Sequence, residues 1–408
     1  MTPQRSVRHI RTEEQRVPWF AVLVPVVFLI GLGFWLYRRV AHTPQLGRRG
    51  KVATLVGIVV LFGVTLVAAS TTRVIADPKA WRPVTWSGYV VMGLVFYVIL
   101  AILAIQVVHG LWRLVDRLRH RTPDRAPRLR RLTAAGLVLA LVTTAYGVME
   151  ADRPSTTPVT IVSADLPQAF DGYRVALITD LHVGPTRGRA FTQRVVDMVN
   201  AEKPDLIVLG GDMIDGSVAG LGDELAPLAT LRATDGVVAT TGNHEFYYDA
   251  ADWVAEWRRQ GLAVLDNDAR IITRGGASID VLGINDYSGT GALRPDLDAA
   301  VNRLVALGGS ASDRGRFRLL VAHQPRQAMV VSGVTVASYG IDLQVSGHTH
   351  GGQMWPFRYL VRLQQPVVEG YGVVEGVPVF TSRGVGAWGP PVRVAAPPEV
   401  PIITLRRG

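Results

Sequence analysis

The sequence predicts an α/β domain carried behind a four-helix membrane-spanning region. Three observations predict it: four long uncharged apolar runs within residues 1–150, an alternation of short β-rich and amphipathic helical segments beyond residue 158, and a polar cluster directly after five of the β-rich segments.

At 408 residues the chain exceeds one average domain, so two structural units are the natural expectation. Its charge is divided to match. Residues 1–150 carry 20 Lys+Arg and 6 Asp+Glu, and residues 151–408 carry 23 and 27, giving +14 and −4, which sum to the net +10. The basic excess lies between apolar runs rather than on a polar domain, which points to membrane topology and away from nucleic acid. No binding of nucleic acid is expected. The absence of cysteine excludes disulfides, thiolate metal ligands and a cysteine nucleophile.

The membrane region is expected over residues 1–150, with helices at about 19–37, 52–72, 88–110 and 132–149; the third lies within an uncharged run from about 83 to 112. Each is close to the roughly 20 residues that cross about 30 Å of hydrocarbon. Trp19, Trp35, Tyr37, Trp86, Tyr89 and Trp112 stand near the run ends, where amphipathic rings settle at headgroup level. The runs hold no Asp, Glu, Lys or Arg, which argues against an ion pathway.

Loop one carries Arg38, Arg39, Arg48, Arg49 and Lys51, and loop three carries eight arginines between Arg113 and Arg131, while loop two has only Arg73, Lys79 and Arg82. Cytoplasmic loops collect such charge. With four spans, this sets the region after residue 149 on the extracytoplasmic face of the cell membrane. Arg5, Arg8, Arg11 and Arg16, partly offset by Glu13 and Glu14, oppose that orientation. A linker is expected at 151–158, stiffened by Pro154 and Pro158.

In the C-terminal region, 159–408, β-rich segments fall at 173–179 (YRVALIT), 205–209 (DLIVL), 236–240 (GVVAT), 278–284 (SIDVLGI), 317–322 (FRLLVA) and 342–345 (DLQV). Amphipathic helices are expected at about 189–200, 250–260 and 296–307. The alternation gives the α/β class. Ligands in such sheets gather at the carboxyl ends of strands. Five strands run into polar clusters there: Asp180-Leu181-His182, GGDMID at 210–215, Gly242-Asn243-His244-Glu245, His323-Gln324-Pro325 and Gly347-His348-Thr349-His350.

A single histidine is ordinarily a satisfied structural side chain. Here all five histidines of residues 151–408 (His182, His244, His323, His348 and His350) fall inside the clusters. Asp, His and Asn form a donor set suited to Mn, Fe or Zn. The GGDMID spacing does not fit a nucleotide-binding Walker loop.

The blocks DLH, GGDMID, GNHE, AHQP and SGHTHGG resemble the five signature blocks of the calcineurin-like metallophosphoesterase superfamily, and with FTSRGVG at 380–386 the chain is most similar to its bacterial membrane-associated, YkuE-like branch. The resemblance implies a four-layer α/β/β/α sandwich and a dinuclear centre of two divalent ions. It implies that Asp180, His182 and His350 hold one metal, that Asn243, His323 and His348 hold the other, and that Asp212 bridges them. His244 would sit over the scissile phosphate as general acid or charge stabiliser, oriented by Asp215. Such a centre acidifies a water that attacks phosphorus.

The implied activity is hydrolysis of a phosphate monoester or diester, on a lipid or cell-envelope component at the bilayer surface. A lipid or sugar-nucleotide pyrophosphatase, and a non-catalytic metal-stabilised interaction module, are the alternatives. Arg383 is expected either to contact substrate phosphate or to form a structural salt bridge. Tyr247, Tyr248, Trp355 and Phe357 are expected to pack in the core rather than line the site.

Overall fold

The computed structural model describes residues 19–74, 78–311, 316–331 and 333–408; the N-terminal charges at 5–16 lie outside them. The chain forms two compact units: one takes in the chain up to Gly63 with Ile99–Gly136, the other Val64–Val98 with Leu137–Gly408.

Helices α1 (Trp19–Tyr37), α2 (Arg48–Val74), α3 (Pro78–Leu118) and α4 (Ala126–Ala151) fall on the four expected spans. Among the described residues, three helical stretches are long and apolar enough to cross a membrane: Arg48–Ala68, Lys79–Leu118 and Ala126–Ala151. α3 far outruns the expected 88–110, since it absorbs Lys79 and Arg82 of the expected loop two. Pro78 begins it, at a position where no N–H is needed. In the first unit, Arg130 Nε donates to Pro44 O at 2.9 Å, tying loop three to loop one.

In the second unit, α2 and α3 touch at Gly88, where a Cβ would stand 2.2 Å from that of Ala68. Only a residue without a side chain permits such an approach. The expected spacer at 151–158 is largely ordered structure. α4 continues to Ala151, and β1 (Ser155–Ser163) starts soon after, each residue from Ser155 paired in parallel with β14 (Glu399–Arg407). Pro158 is tolerated because β1 is an edge strand.

One six-stranded sheet has the order β1-β14-β2-β3-β4-β5, with β2 Arg174–Ile178, β3 Leu206–Leu209, β4 Val237–Ala239 and β5 Ala263–Val264. A second has the order β12-β13-β11-β8-β7-β6, with β6 Asp268–Arg274, β7 Ala277–Gly283, β8 Arg318–Val321, β11 Leu343–Ser346, β12 Gly370–Val374 and β13 Val377–Thr381. A small hairpin joins β9 (Val330–Val331) to β10 (Val334–Thr335). Both six-stranded sheets mix parallel and antiparallel pairs.

Alternation along the strands divides the core. Leu177, Val208 and Ile403 of the first sheet share one buried cluster with Val281, Leu319 and Val345 of the second. Ile178, Ile207 and Ile402 point the other way, onto Val195 of α5 (Arg189–Glu202), Leu221 of α6 (Val218–Leu225) and Trp253 and Trp257 of α8 (Ala250–Arg259). On the second sheet Leu282, Leu320 and Val379 pack with Leu297, Val301 and Leu304 of α9 (Leu297–Ala306). Two short helices, α7 (Asn243–Tyr247) and α10 (Arg358–Val361), lie in strand-end connections.

Candidate metal centre

The site forms where strands end. β2, β3 and β4 are parallel neighbours, as are β8 and β11, so within each sheet their carboxyl ends share an edge. β2 delivers Asp180 and His182, β3 delivers Asp212 and Asp215, β4 delivers Asn243 and His244, β8 delivers His323, and β11 delivers His348 and His350. All nine sequence-predicted residues come together there.

Among the described residues, three overlapping groups have ligand atoms within 4.8 Å of one another: Asp180 with His182 and His350, His182 with Asp212 and His244, and Asp212 with His323 and His348. His182 Nε2 lies 3.1 Å from His350 Nε2, and His350 Nε2 lies 3.4 Å from Asp180 Oδ1. Asp212 Oδ2 stands 3.1 Å from His323 Nε2, 3.8 Å from His182 Nε2 and 4.0 Å from His244 Nε2. Asn243 Oδ1 is 2.8 Å from His348 Nδ1.

The backbone is bent to reach this arrangement. Asp180, His182, Asp212, His348 and His350 all have φ between 48° and 71°, a region L-residues enter at a cost of order 1–3 kcal/mol each and keep where surrounding structure holds them. Gly347 and Gly242 make room: a Cβ would fall 2.3 Å from Asp180 Oδ2 at the first and 2.2 Å from Asp212 Oδ1 at the second.

The centre is buried, and its electrostatics follow from crowding. Burial alone would raise the Asp212 carboxyl, yet His323, His244 and His182 outweigh it and hold the group well below the usual range. Burial acts against the His244 imidazolium, but Asp212 and Asp215 prevail and lift it to about 9. Burial, reinforced by His323, pushes His348 down to about 3. His350 is lowered by burial, by His182 and by Arg393.

The donors fit cations. His323 Nε2 is buried and makes no well-formed hydrogen bond although Asp212 Oδ2 is 3.1 Å away. A buried imidazole nitrogen and a carboxylate oxygen this close without a hydrogen bond between them suit a shared ion. The remaining imidazole nitrogens are braced: His323 Nδ1 lies 2.8 Å from Gly210 O, and Nδ1 of both His182 and His244 faces Asp215 Oδ1.

Two supporting residues escape a sequence reading. Glu245, within GNHE, is fully buried and accepts from the backbone N–H of Gly242, Asp212 and Met213 at 2.6, 3.0 and 2.8 Å. An acid inside a ligand block was the available signal. Arg393 is also fully buried, 3.2 Å from His350 Nδ1, and donates to the carbonyls of Gly386 and Arg383 at 2.7 and 2.8 Å. No local pattern marked it. Arg383 takes the structural salt-bridge role, paired with Glu399. Of the four aromatics expected in the core, Tyr248 packs there, whereas Tyr247, Trp355 and Phe357 are exposed. Tyr247 and Trp388 both flank His244, at ring-centroid distances of 5.0 and 6.3 Å.

Residues 173–352 match the family model described as calcineurin-like phosphoesterase. A Danio rerio transmembrane protein with metallophosphoesterase domain is 32% identical over 313 residues, covering 74% of this chain and 68% of that one. A Caenorhabditis elegans metallophosphoesterase is 36% identical over 235 residues, 57% of this chain and 48% of its own, so the matched region spans about half of that relative. The metallophosphoesterase YkuE of Bacillus subtilis is 29% identical over 266 residues, covering 63% of this chain and 87% of that one.

Proposed function

The chain belongs to the calcineurin-like phosphoesterase family, and on that premise we propose that it is a membrane-anchored hydrolase of phosphate monoesters or diesters. The observation that carries this reading is the position of Asp212 Oδ2, one carboxylate oxygen reaching imidazoles from three different strand ends. On this reading Asp180, His182 and His350 would hold one divalent ion, Asn243, His323 and His348 would hold a second, and Asp212 would serve both. A Mn, Fe or Zn ion bound there would supply Lewis acidity and would acidify a water.

The protein's own groups do the rest. His244, its Nδ1 anchored on Asp215, turns Nε2 toward the centre and gives a proton to the departing alcohol oxygen, a step worth about 10²–10⁴ in rate. The buried walls hold bulk water away, so each charge acts at low dielectric. The core clusters on both faces of each sheet support a four-layer sandwich.

We read α1 as a fourth span. The Arg-rich loops one and three, joined at Arg130 and Pro44, face the cytoplasm, which puts the catalytic domain outside. On α3, Arg82 Nε donates to Gly184 O at 3.2 Å and its NH2 pairs with Glu224, which supports loop two and the hydrolase sharing a side. The test is purified full-length protein with Mn²⁺ and aryl phosphate monoesters and diesters, beside Asp212→Asn. Turnover of neither ester by the wild-type chain, or equal turnover by the variant, rejects the assignment.

A further inference from the structure

α3 is too long for a bilayer. Its uncharged run at 83–112 measures about 45 Å at 1.5 Å per residue, against roughly 30 Å of hydrocarbon. Val392 of the catalytic domain marks where the excess begins. A Cβ at Gly93 of α3 would stand 3.0 Å from Val392 Cγ2, and one at Gly147 of α4 would stand 2.5 Å from Val392 Cγ1. Arg393 N donates to Gly147 O at 2.8 Å.

The uncharged run of α4 ends at Met149, just beyond that contact, with Glu150 next. Gly93, Gly147 and Val392 therefore share one level, which on the anchored reading is the edge of the hydrocarbon. On that reading the start of α3, where Arg82 meets Glu224, stands in water and the catalytic domain rests at the lipid surface.

The neighbouring chain is apolar where it should meet lipid. Met354 bridges to Val394, and Trp355 N donates to Val394 O at 3.1 Å; Val394 itself faces Gly147. From there Trp355, Phe357, Tyr359, Leu360 and Leu363 are exposed, Leu363 at 83%, and Arg362 is exposed among them. Indole and phenol rings with an adjacent cation suit the headgroup layer. Trp388, exposed on the loop that leads to Val392, stands 6.3 Å from the His244 ring. The same short loop thus touches the reaction centre and the bilayer edge.

We propose that this face docks the catalytic domain into the bilayer surface, and that the substrate is the phosphoester headgroup of a membrane lipid. The proposal rests on the hydrolase reading above. In the reaction the P–O bond to one alcohol breaks, a water oxygen bonds to phosphorus, His244 protonates the alcohol oxygen, and the proton the water releases restores His244. The substrate's acyl chains stay in the bilayer throughout.

Two measurements on the full chain test it. Because there is no native cysteine, a nitroxide on Leu363→Cys in phospholipid nanodiscs reports one position. It should collide more with oxygen than with a water-soluble nickel chelate; the reverse preference overturns the docking surface. Vesicles of phosphatidylglycerol and phosphatidic acid, and soluble bis(4-nitrophenyl) phosphate, are then compared as substrates with Mn²⁺. The double variant Leu360→Glu, Leu363→Glu should lose about tenfold or more on vesicle lipid and keep the soluble rate within about twofold. Turnover of the soluble ester without any of either lipid, or parallel loss on both, overturns the lipid assignment. Turnover of neither by the unmodified chain defeats the hydrolase reading instead, and a lipid-immersed nitroxide tells the two failures apart.

Discussion

Asp215 Oδ1 lies 2.5 Å from His244 Nδ1, and the same oxygen lies 3.0 Å from His182 Nδ1. One carboxylate therefore fixes the ring orientation of two imidazoles that the proposed mechanism uses differently, one as ligand and one as proton donor. Asp215→Asn keeps the volume and removes the charge. It should lower kcat about 10- to 100-fold with a smaller effect on KM. Unchanged kcat in Mn²⁺ would remove Asp215 from the positioning role.

Asp212→Asn attacks the shared oxygen. Bound metal, measured by elemental analysis of the purified protein, should fall below the wild-type stoichiometry. Activity should drop by about 10² or more. Full metal content with full activity would mean the two ligand sets do not need this carboxylate.

Glu245→Gln is nearly isosteric, so its effect isolates hydrogen bonding. The carboxylate receives three backbone N–H groups, and an amide offers one oxygen and brings two further donors. Burial, together with the nearby Asp212, raises this carboxyl to about 7. The variant should lose about 2–3 kcal/mol of stability, read as a lower thermal midpoint at constant metal concentration; an unshifted midpoint counts against the brace.

What sequence could convey divides along physical lines. The strands at 206–209, 237–239 and 318–321 were legible because each is a short β-rich run that ends in a ligand block. β14 was not, because Pro401 argues against an internal strand. It sits there paired to Thr157 of β1, with Ile402 against Ala176 of β2. The ligands were readable as motifs, since each lies within a few residues of a strand end. Arg393 reaches His350 only through folding of the 382–398 segment, and its partners are mostly carbonyls, which every residue possesses.

Gly147→Ala sets two effects against each other. Alanine favours helix by about 1 kcal/mol, whereas its Cβ would meet Val392 Cγ1 at 2.5 Å, Val394 Cγ2 at 3.0 Å and Arg393 O at 3.2 Å. Overpacking costs about 1–3 kcal/mol, so the contact should win. Faster protease nicking within residues 386–394 is expected, and Val392→Ala should partly restore resistance. Slower nicking in the single variant would show that helix propensity dominates.

Asp342 lies away from the metal centre, its Oδ2 2.7 Å from Arg318 N. Burial, with help from Asp165, lifts its carboxyl to about 6. A raised folded-state value favours the protonated form, so this stability is complete below the unfolded value near 4 and is lost as pH rises through 6. Asp342→Asn should escape that loss. Its thermal midpoint should exceed wild type by about 2–4 °C at pH 8 and converge with it below about pH 4; a gap independent of pH would assign the effect to something other than ionisation.

The placement of β14 has a consequence for how the molecule is made. β1, the strand that leaves the membrane helices, pairs with β14 alone, so Ser155 waits for Glu399 to be synthesised before it gains a partner. Closing so long a loop is slow and entropically costly. On the proposed anchored reading, helices α2–α4 can insert and the β2-β3-β4 ladder can form before β1 has its partner. The insertion of β14 between β1 and β2 is thus expected late, after the last residues of the chain are made.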